Sequence, residues 1–447
     1  MTMYGRVTSA LGKRPKGIEH SEMRQRQRDF CAGMTANSVA IITNNPVAIR
    51  SRDTHHRHRF NSYLHYLTGW HGEDGVAVFF QSDGDWKCRL YVRPRNVKME
   101  IWTGKRPGLG GALSGWPVDE TMSRNDINEN LSELLNDIEN VYHIHGLDKE
   151  VDGIVDSVLH DGEPMDPRSI IDEMRVIKSN GEIALMLYSA DLASYAHVEA
   201  MRECKPGMGE WHMQSIIEGC FLHHKSEWSY PSIVGSGDNA TILHYNENKD
   251  IMKDGDLVLI DAGCEIDGYA SDITRTFPVN GQFTEAQRAI YELVLKAQLA
   301  GIEACQAGSP WSAMHRATSE VLAQGLIDLK ILNCTLEDAL GEDFNGLYRQ
   351  FFMHGTGHFL GLDVHDVGGG RQGDDKPERI LTPGMVVTIE PGLYFGSWRE
   401  DIEIDRKWAG IGVRIEDDVL ISENGPVVLT ANCPKEITEI EGLVGFN

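Results

Sequence analysis

Apolar residues along the chain follow two rhythms. In the first half, Ser38–Thr43, Gly75–Phe80 and Arg89–Val92 are short apolar runs of strand length. Glu129–Asn140 has helical spacing. So does the longer segment Ser169–Ala200, where Ser169 is a candidate N-cap with Asp172 three residues on. Asp166-Pro167 reads as a turn before it. In the second half, Leu257–Ala262 (LVLIDA) and Tyr269–Phe277 read as strands joined through Asp267-Gly268, a hairpin dipeptide. Thr284–Cys305 is helical in pattern, and Met385–Glu390 and Ile411–Ile421 are further strands. The pattern predicts a mixed α+β protein. Its two parts are placed at residues 1–172 and 173–447, with no flexible linker to mark the join.

Composition changes this picture little. With 447 residues, 41% hydrophobic and 24% charged, the chain is a globular protein with a sizeable core. Charge narrows the partners. A net charge of −25 and a pI near 5.1 repel nucleic acid and anionic membrane. The same field mildly attracts cationic groups, a peptide's N-terminal ammonium among them. None of the eight cysteines forms a Cys-x-x-Cys pair, so a reducing, cytoplasmic compartment is expected. The basic N-terminus lacks the apolar stretch of a secretory signal. No run of about 18 apolar residues predicts a membrane span.

Candidate chemistry sits in the second half. HGTGHFLGLDVHD (354–366) holds three histidines and two aspartates. Its His-x-x-x-His spacing resembles a zinc helix, but the glutamate is missing and two glycines disfavour a helix. A tight loop is expected, with glycines letting the backbone approach a ligand. Asp261 and Asp272 flank the hairpin dipeptide, and a turn centred there sets them opposite each other on one face. Converging carboxylates call for a divalent cation; the alternative is that one is a plain strand-end residue. Glu390 ends a strand stopped by Pro391-Gly392. Glu416 lies in an apolar strand, where it needs either a metal or a salt bridge, Arg414 being the nearest cation in sequence. His244 lies in a polar loop. His55, His56 and His58 are flanked by arginines and read as surface, and Gly368–Arg371 lacks the Lys-Ser/Thr of a phosphate loop.

Four motifs occur in order: DAGCEIDGYASDITRTF, HGTGHFLGLDVHD, EPGLY and VRIEDDVLI. Together they resemble the metal-dependent peptidases of the pita-bread fold, the group of aminopeptidase P, prolidase, methionyl aminopeptidase and the metal-free creatinases. NSYLHYLTGW and EIWTGKRPG resemble the aminopeptidase P branch. The resemblance spans roughly residues 20–430, leaving the N-terminal residues and an insert near 107–117 poorly covered. It implies a creatinase-like α/β N-terminal domain followed by a pita-bread catalytic domain. It also implies metal ligands Asp261, Asp272, His358, Glu390 and Glu416, with supporting roles for His244, His354, His365 and Arg414. Trp102 would reach a substrate site, that of a neighbouring subunit included. Because all five ligand types are kept, a creatinase-like or non-catalytic binding module is disfavoured. Thr356 stands where relatives often have a bulkier or different residue. The oxygen-rich set suits two ions, Mn²⁺ ahead of Co²⁺, Fe²⁺ or Zn²⁺. They would share a bridging hydroxide as nucleophile, with Glu390 as proton shuttle. The activity implied is removal of the residue before a proline at position two of a peptide, with prolidase as the alternative. A homo-oligomer, dimer or tetramer, is expected from the relatives.

Overall fold

Val39 and Ile41, Val76, Val78 and Phe80, and Val141 share one face of a five-stranded sheet in the N-terminal unit. The strand order is Glu120–Ser123, Asp85–Val92, Val76–Ser82, Ser38–Thr43 and Asn140–His143. That face packs on Ile127, Leu131 and Leu135 of one helix and on Val151, Ile154 and Val155 of another. Phe79 points the other way and meets Phe30 edge to face, with ring centres 5.4 Å apart. Both faces are covered, which is why all six residues of Ser38–Thr43 are buried and the run does not alternate.

The computed structural model describes residues 2–160, 162–371 and 376–445. They form two compact units: residues 18–175, and residues from 176 onward together with those up to Gly17. The division differs from the sequence boundary mainly at the N-terminus. Arg6 explains the difference, since its guanidinium pairs with Glu199 (2.9 Å) on a helix of the C-terminal unit. His55 and His56 lie exposed on a small hairpin.

Two helical expectations needed trimming. The helix near residue 130 runs Ile127–Leu135, not Glu129–Asn140. Of its predicted tail, residues 136–139 form a turn and Asn140 begins the strand Asn140–His143, which pairs in parallel with Ser38–Thr43. Ser169–Ala200 is two helices, Arg168–Val176 and Asn180–Glu203. The capping box belongs to Ser179 and Glu182, whose side chains and backbone N–H groups satisfy each other. Ser169 instead donates to Asp166 O.

The C-terminal unit shows a recurring device: its strands break at carboxylates. Asp267 (φ 51°) and Gly268 (φ 86°) are both left-handed, as a tight hairpin turn of this type demands. The turn sets Ile266 opposite Tyr269 and hence Asp261 opposite Thr274. Asp261 and Asp272 are therefore diagonal neighbours rather than directly opposed, a shift of two residues from the expected register. The predicted second strand splits into Tyr269–Ala270 and Thr274–Pro278, and Asp272 lies in the gap. Likewise Ile411–Ile421 splits into Ile411–Arg414 and Asp417–Ser422 around Glu416. Glu390 follows directly on Val386–Ile389. EPGLY also yields a strand that sequence missed, Gly392–Phe395, paired with Ile411–Arg414.

The 354–366 segment is irregular, as the glycines suggested. Gly357 serves a different purpose from the one expected. A Cβ there would lie 1.8 Å from Thr388 O, so the residue makes room for a neighbouring strand and not for a ligand. His358 is thereby laid against Val386–Ile389, with Thr388 N donating to His358 O (2.9 Å).

Candidate metal centre

One cavity of about 500 Å³ gathers nearly every site residue named from sequence. Asp261, Asp272, His358, Glu390 and Glu416 line it, with His244, His354, His365 and Arg414. Trp102 lies in the N-terminal unit, on the helix Val97–Thr103, 84% exposed.

Asp272, His358 and Glu416 each offer a ligand atom, all within 4.8 Å of one another. His358 Nδ1 faces Phe359 O at 2.9 Å, which turns Nε2 toward the carboxylates. Nε2 stands 3.5 Å from both Asp272 Oδ2 and Glu390 Oε1. The Tyr230 hydroxyl bridges Asp261 Oδ1, at 2.5 Å, and Asp272 Oδ1. Oxygen donors with one imidazole fit a hard or borderline divalent ion.

Arg414 behaves differently from its sequence reading. Its partner is Asp261 Oδ2 (2.7 Å), not Glu416. Nε donates to Thr274 Oγ1 (3.0 Å), and that hydroxyl donates to Glu416 Oε2 (2.7 Å), so Thr274 links Arg414 to Glu416. Nη1 donates to Tyr394 Oη (3.1 Å), which lies 2.7 Å from His354 Nε2. His354 Nδ1 meets Gly355 O at 2.8 Å. Both His354 nitrogens are thus engaged within the protein. Thr356 Oγ1 contacts His315 Nδ1 at 2.8 Å, and Thr356 O accepts from Glu390 N–H (2.8 Å).

Crowding of buried acids gives the site its electrostatic character. Burial pushes Glu390 up to about 7. Burial also raises Asp261, against the pull of Arg414, to about 6. Glu416 is held well above the ordinary carboxylate range by burial and by Asp272, Glu390 and Asp261. His358 is lowered by burial, but Asp272 and Glu390 outweigh this and raise it to about 9. In the metal-free protein an imidazolium thus supplies positive charge to a cluster that favours a cation. Burial and Arg414 push His354 down to about 3, keeping it neutral. His365, its ring centre 4.4 Å from that of His358, is also lowered, by burial and then by His358.

These shifts predict a pH-dependent apo protein. Asp261 and Glu390 hold protons more tightly folded than unfolded, so their contribution to stability falls as pH rises through about 6 and about 7, respectively. His358 acts in the same direction, its contribution being lost through about 9. Thermal melts of metal-free protein should therefore show a lower Tm at pH 8.5 than at pH 6, and added Mn²⁺ should raise Tm more at the higher pH. An equal metal effect at both values would contradict the reading.

Sequence reasoning missed Tyr230, Thr274, Tyr394 and Asp418, which donates no ligand atom to the set but accepts the Asp272 N–H at 3.2 Å. Tyr394 stands in the EPGLY motif and Thr274 in DAGCEIDGYASDITRTF, but only pairing across strands reveals what they touch.

Comparison with known proteins identifies the family. Residues 184–423 match the model of metallopeptidase family M24, and residues 23–142 that of the aminopeptidase P N-terminal domain. The Xaa-Pro aminopeptidase of Escherichia coli (strain K12) is 40% identical over 441 residues, covering 96% of this chain and 98% of that one. The Xaa-Pro aminopeptidase of Haemophilus influenzae is 40% identical over 438 residues, covering 98% and 99%. Among solved structures, Pseudomonas aeruginosa aminopeptidase PepP has a TM-score of 0.89 at 39% identity, covering 96% and 98%. Proline aminopeptidase P II from Yersinia pestis has a TM-score of 0.90 at 39% identity, covering 96% and 100%. The fold is accordingly α+β, an aminopeptidase P-type N-terminal domain followed by a pita-bread catalytic domain. The family and the cluster of ligand atoms together make the chain dependent on a divalent metal. With both domains matched and coverage nearly complete, the chain belongs to metallopeptidase family M24, in its aminopeptidase P branch.

Proposed function

We propose that the protein is an Xaa-Pro aminopeptidase, releasing the N-terminal residue from peptides whose second residue is proline. The observation that carries this is the convergence of Asp261, Asp272, His358, Glu390 and Glu416 on one cavity that also holds three further histidines. The proline preference is supported by the names of the full-length relatives. An X-Pro amide is tertiary and offers no N–H, so a dedicated site suits it.

Those five residues would hold two divalent ions, Mn²⁺ ahead of Co²⁺, Fe²⁺ or Zn²⁺. When bound, the metal supplies Lewis acidity and a water of lowered pKa. The protein's own groups do the rest. Glu390, raised to about 7, is poised to take a proton and return it to the leaving nitrogen. His244 and His365 face the cavity and are assigned to the substrate, stabilising charge on the carbonyl oxygen. Neutral His354, backed by Tyr394 and Arg414, orients its neighbours; Arg414 fixes Asp261 and completes the cavity wall. Trp102 is assigned to the substrate site of a neighbouring copy in a homo-oligomer.

All eight cysteines are free, which suits a reducing cytoplasm. No helix among the described residues is long and apolar enough to cross a membrane. With Mn²⁺ added, a tripeptide such as Arg-Pro-Pro should be cleaved after its first residue, at least tenfold faster than a Gly-Pro dipeptide. Turnover of the dipeptide alone would favour prolidase.

A further inference from the structure

Glu210 is the first residue of the helix Glu210–His223 and is fully buried. Its carboxylate accepts five hydrogen bonds, all from residues 236–250. Oε1 accepts from Ser236 N (2.7 Å), Ser236 Oγ (2.8 Å) and Asn239 Nδ2 (3.1 Å). Oε2 accepts from Tyr245 Oη (3.0 Å) and Asp250 N (3.0 Å). The backbone adds Glu210 N to Asp250 O at 2.9 Å. One carboxylate thus gathers the start, middle and end of the segment that brings Leu243, His244 and Asn246 to the cavity. Asn248, in the left-handed region at φ 49°, closes the same segment: its Oδ1 accepts from Val234 N (2.8 Å) and its Nδ2 donates to Ser232 O (2.8 Å).

A buried carboxylate is costly unless its oxygens are satisfied, and here they are. The helix N-terminus adds favourable dipole. The directional content of the arrangement lies at Tyr245, whose hydroxyl is drawn inward to Glu210 while its neighbours in the chain, His244 and Asn246, are left facing the cavity.

We propose that Glu210 is a positioning residue for the reaction, setting where His244 stands against the substrate. Glu210 is not among the residues lining the cavity; it acts through Tyr245 and the flanking backbone. This rests on the peptidase reading above. Glutamine is the informative replacement, because its amide turns donors toward groups that are themselves donors. Glu210→Gln should lower kcat for the tripeptide by about tenfold or more, a misplacement effect, with KM changed less. His244→Ala should lower it as well, and the double variant should be no slower than His244→Ala alone. Glu210→Asp should recover part of the rate. Additive losses, or a folded Glu210→Gln variant with unchanged kcat, would overturn the proposal. If Glu210→Gln fails to fold, Tyr245→Phe removes one of the five donors and must show the same non-additivity with His244→Ala. Should the native enzyme show no peptide hydrolysis, the peptidase reading itself has failed. The positioning claim is then judged by NMR of the His244 ring in metal-free protein: a shifted resonance in Glu210→Gln supports it, and an unchanged one defeats it.

Discussion

Glu390→Ala lowers kcat for a tripeptide with proline second by about a thousandfold, within the range that a positioned proton carrier contributes. The effect should be catalytic and not structural. The Glu390 backbone is held independently of its side chain: its N–H donates to Thr356 O (2.8 Å), and it directly follows the strand Val386–Ile389. Deleting a carboxyl group from a crowd of buried acids relieves repulsion, so the Tm of the metal-free variant should equal or exceed that of the native chain. Glu390→Gln separates the two roles assigned to this side chain. An amide can still offer an oxygen to a metal but cannot carry the proton. Metal content close to native with kcat still reduced by orders of magnitude would assign Glu390 to proton transfer. Activity within tenfold of native in Glu390→Ala would sink the mechanism.

A second large effect is expected in stability. Asp417→Ala should cost about 3–5 kcal/mol, the range for breaking a buried ion pair by removing one partner. Arg275 and Asp417 are both fully buried, 2.7 Å apart. Lys435 Nζ (2.6 Å), Gln298 Nε2 (2.7 Å) and Thr430 Oγ1 (2.7 Å) also reach the Asp417 carboxylate. Without it, Arg275 keeps a buried charge with only carbonyl partners. Burial alone would raise the Asp417 pKa, but Arg275 and Lys435 hold it below the usual carboxylate range. Its contribution is therefore present at neutral pH and is lost as pH falls through that depressed value. Urea unfolding measures the loss. A change below about 1 kcal/mol, small for any buried substitution, would count against this account. Activity should fall too, because Arg275 Nη1 holds Thr274 O (3.0 Å) and Glu416 O (2.5 Å), the two backbones that present Glu416.

Several candidate ligands stand out in the sequence as polar residues in an apolar context, Asp261 at the end of LVLID, Glu390 closing VVTIE and Glu416 closing GVRIE, but only the family resemblance makes them a ligand set. Their geometry was less legible. The Asp267-Gly268 dipeptide was recognisable as a turn, but its register depends on backbone conformation that spacing alone does not fix, and the two aspartates came out diagonal. Helix ends were misplaced where a local pattern met a tertiary demand. The helix expected to reach Asn140 stops at Leu135, because Asn140 pairs with Ser38 in the sheet, and the helix expected to start at Ser169 breaks in two, its second half capped by Ser179. Arg414 was paired with the wrong acid because Glu416 is close in sequence, whereas Asp261 is close in space. Glu210 carries no motif at all; only the convergence of residues 236–250 upon it exposes its role.

The Arg275 cluster also bears on how the protein is made. Three of its partners, Cys433 O, Pro434 O and the Lys435 ammonium, follow all the candidate ligands along the chain. Synthesis proceeds from the N-terminus, so every candidate ligand, from Asp261 to Glu416, leaves the ribosome before the groups that lock the back wall behind them. In the catalytic unit this anchoring is thus completed only after all of the candidate ligands have emerged, and the site gains its rigidity last.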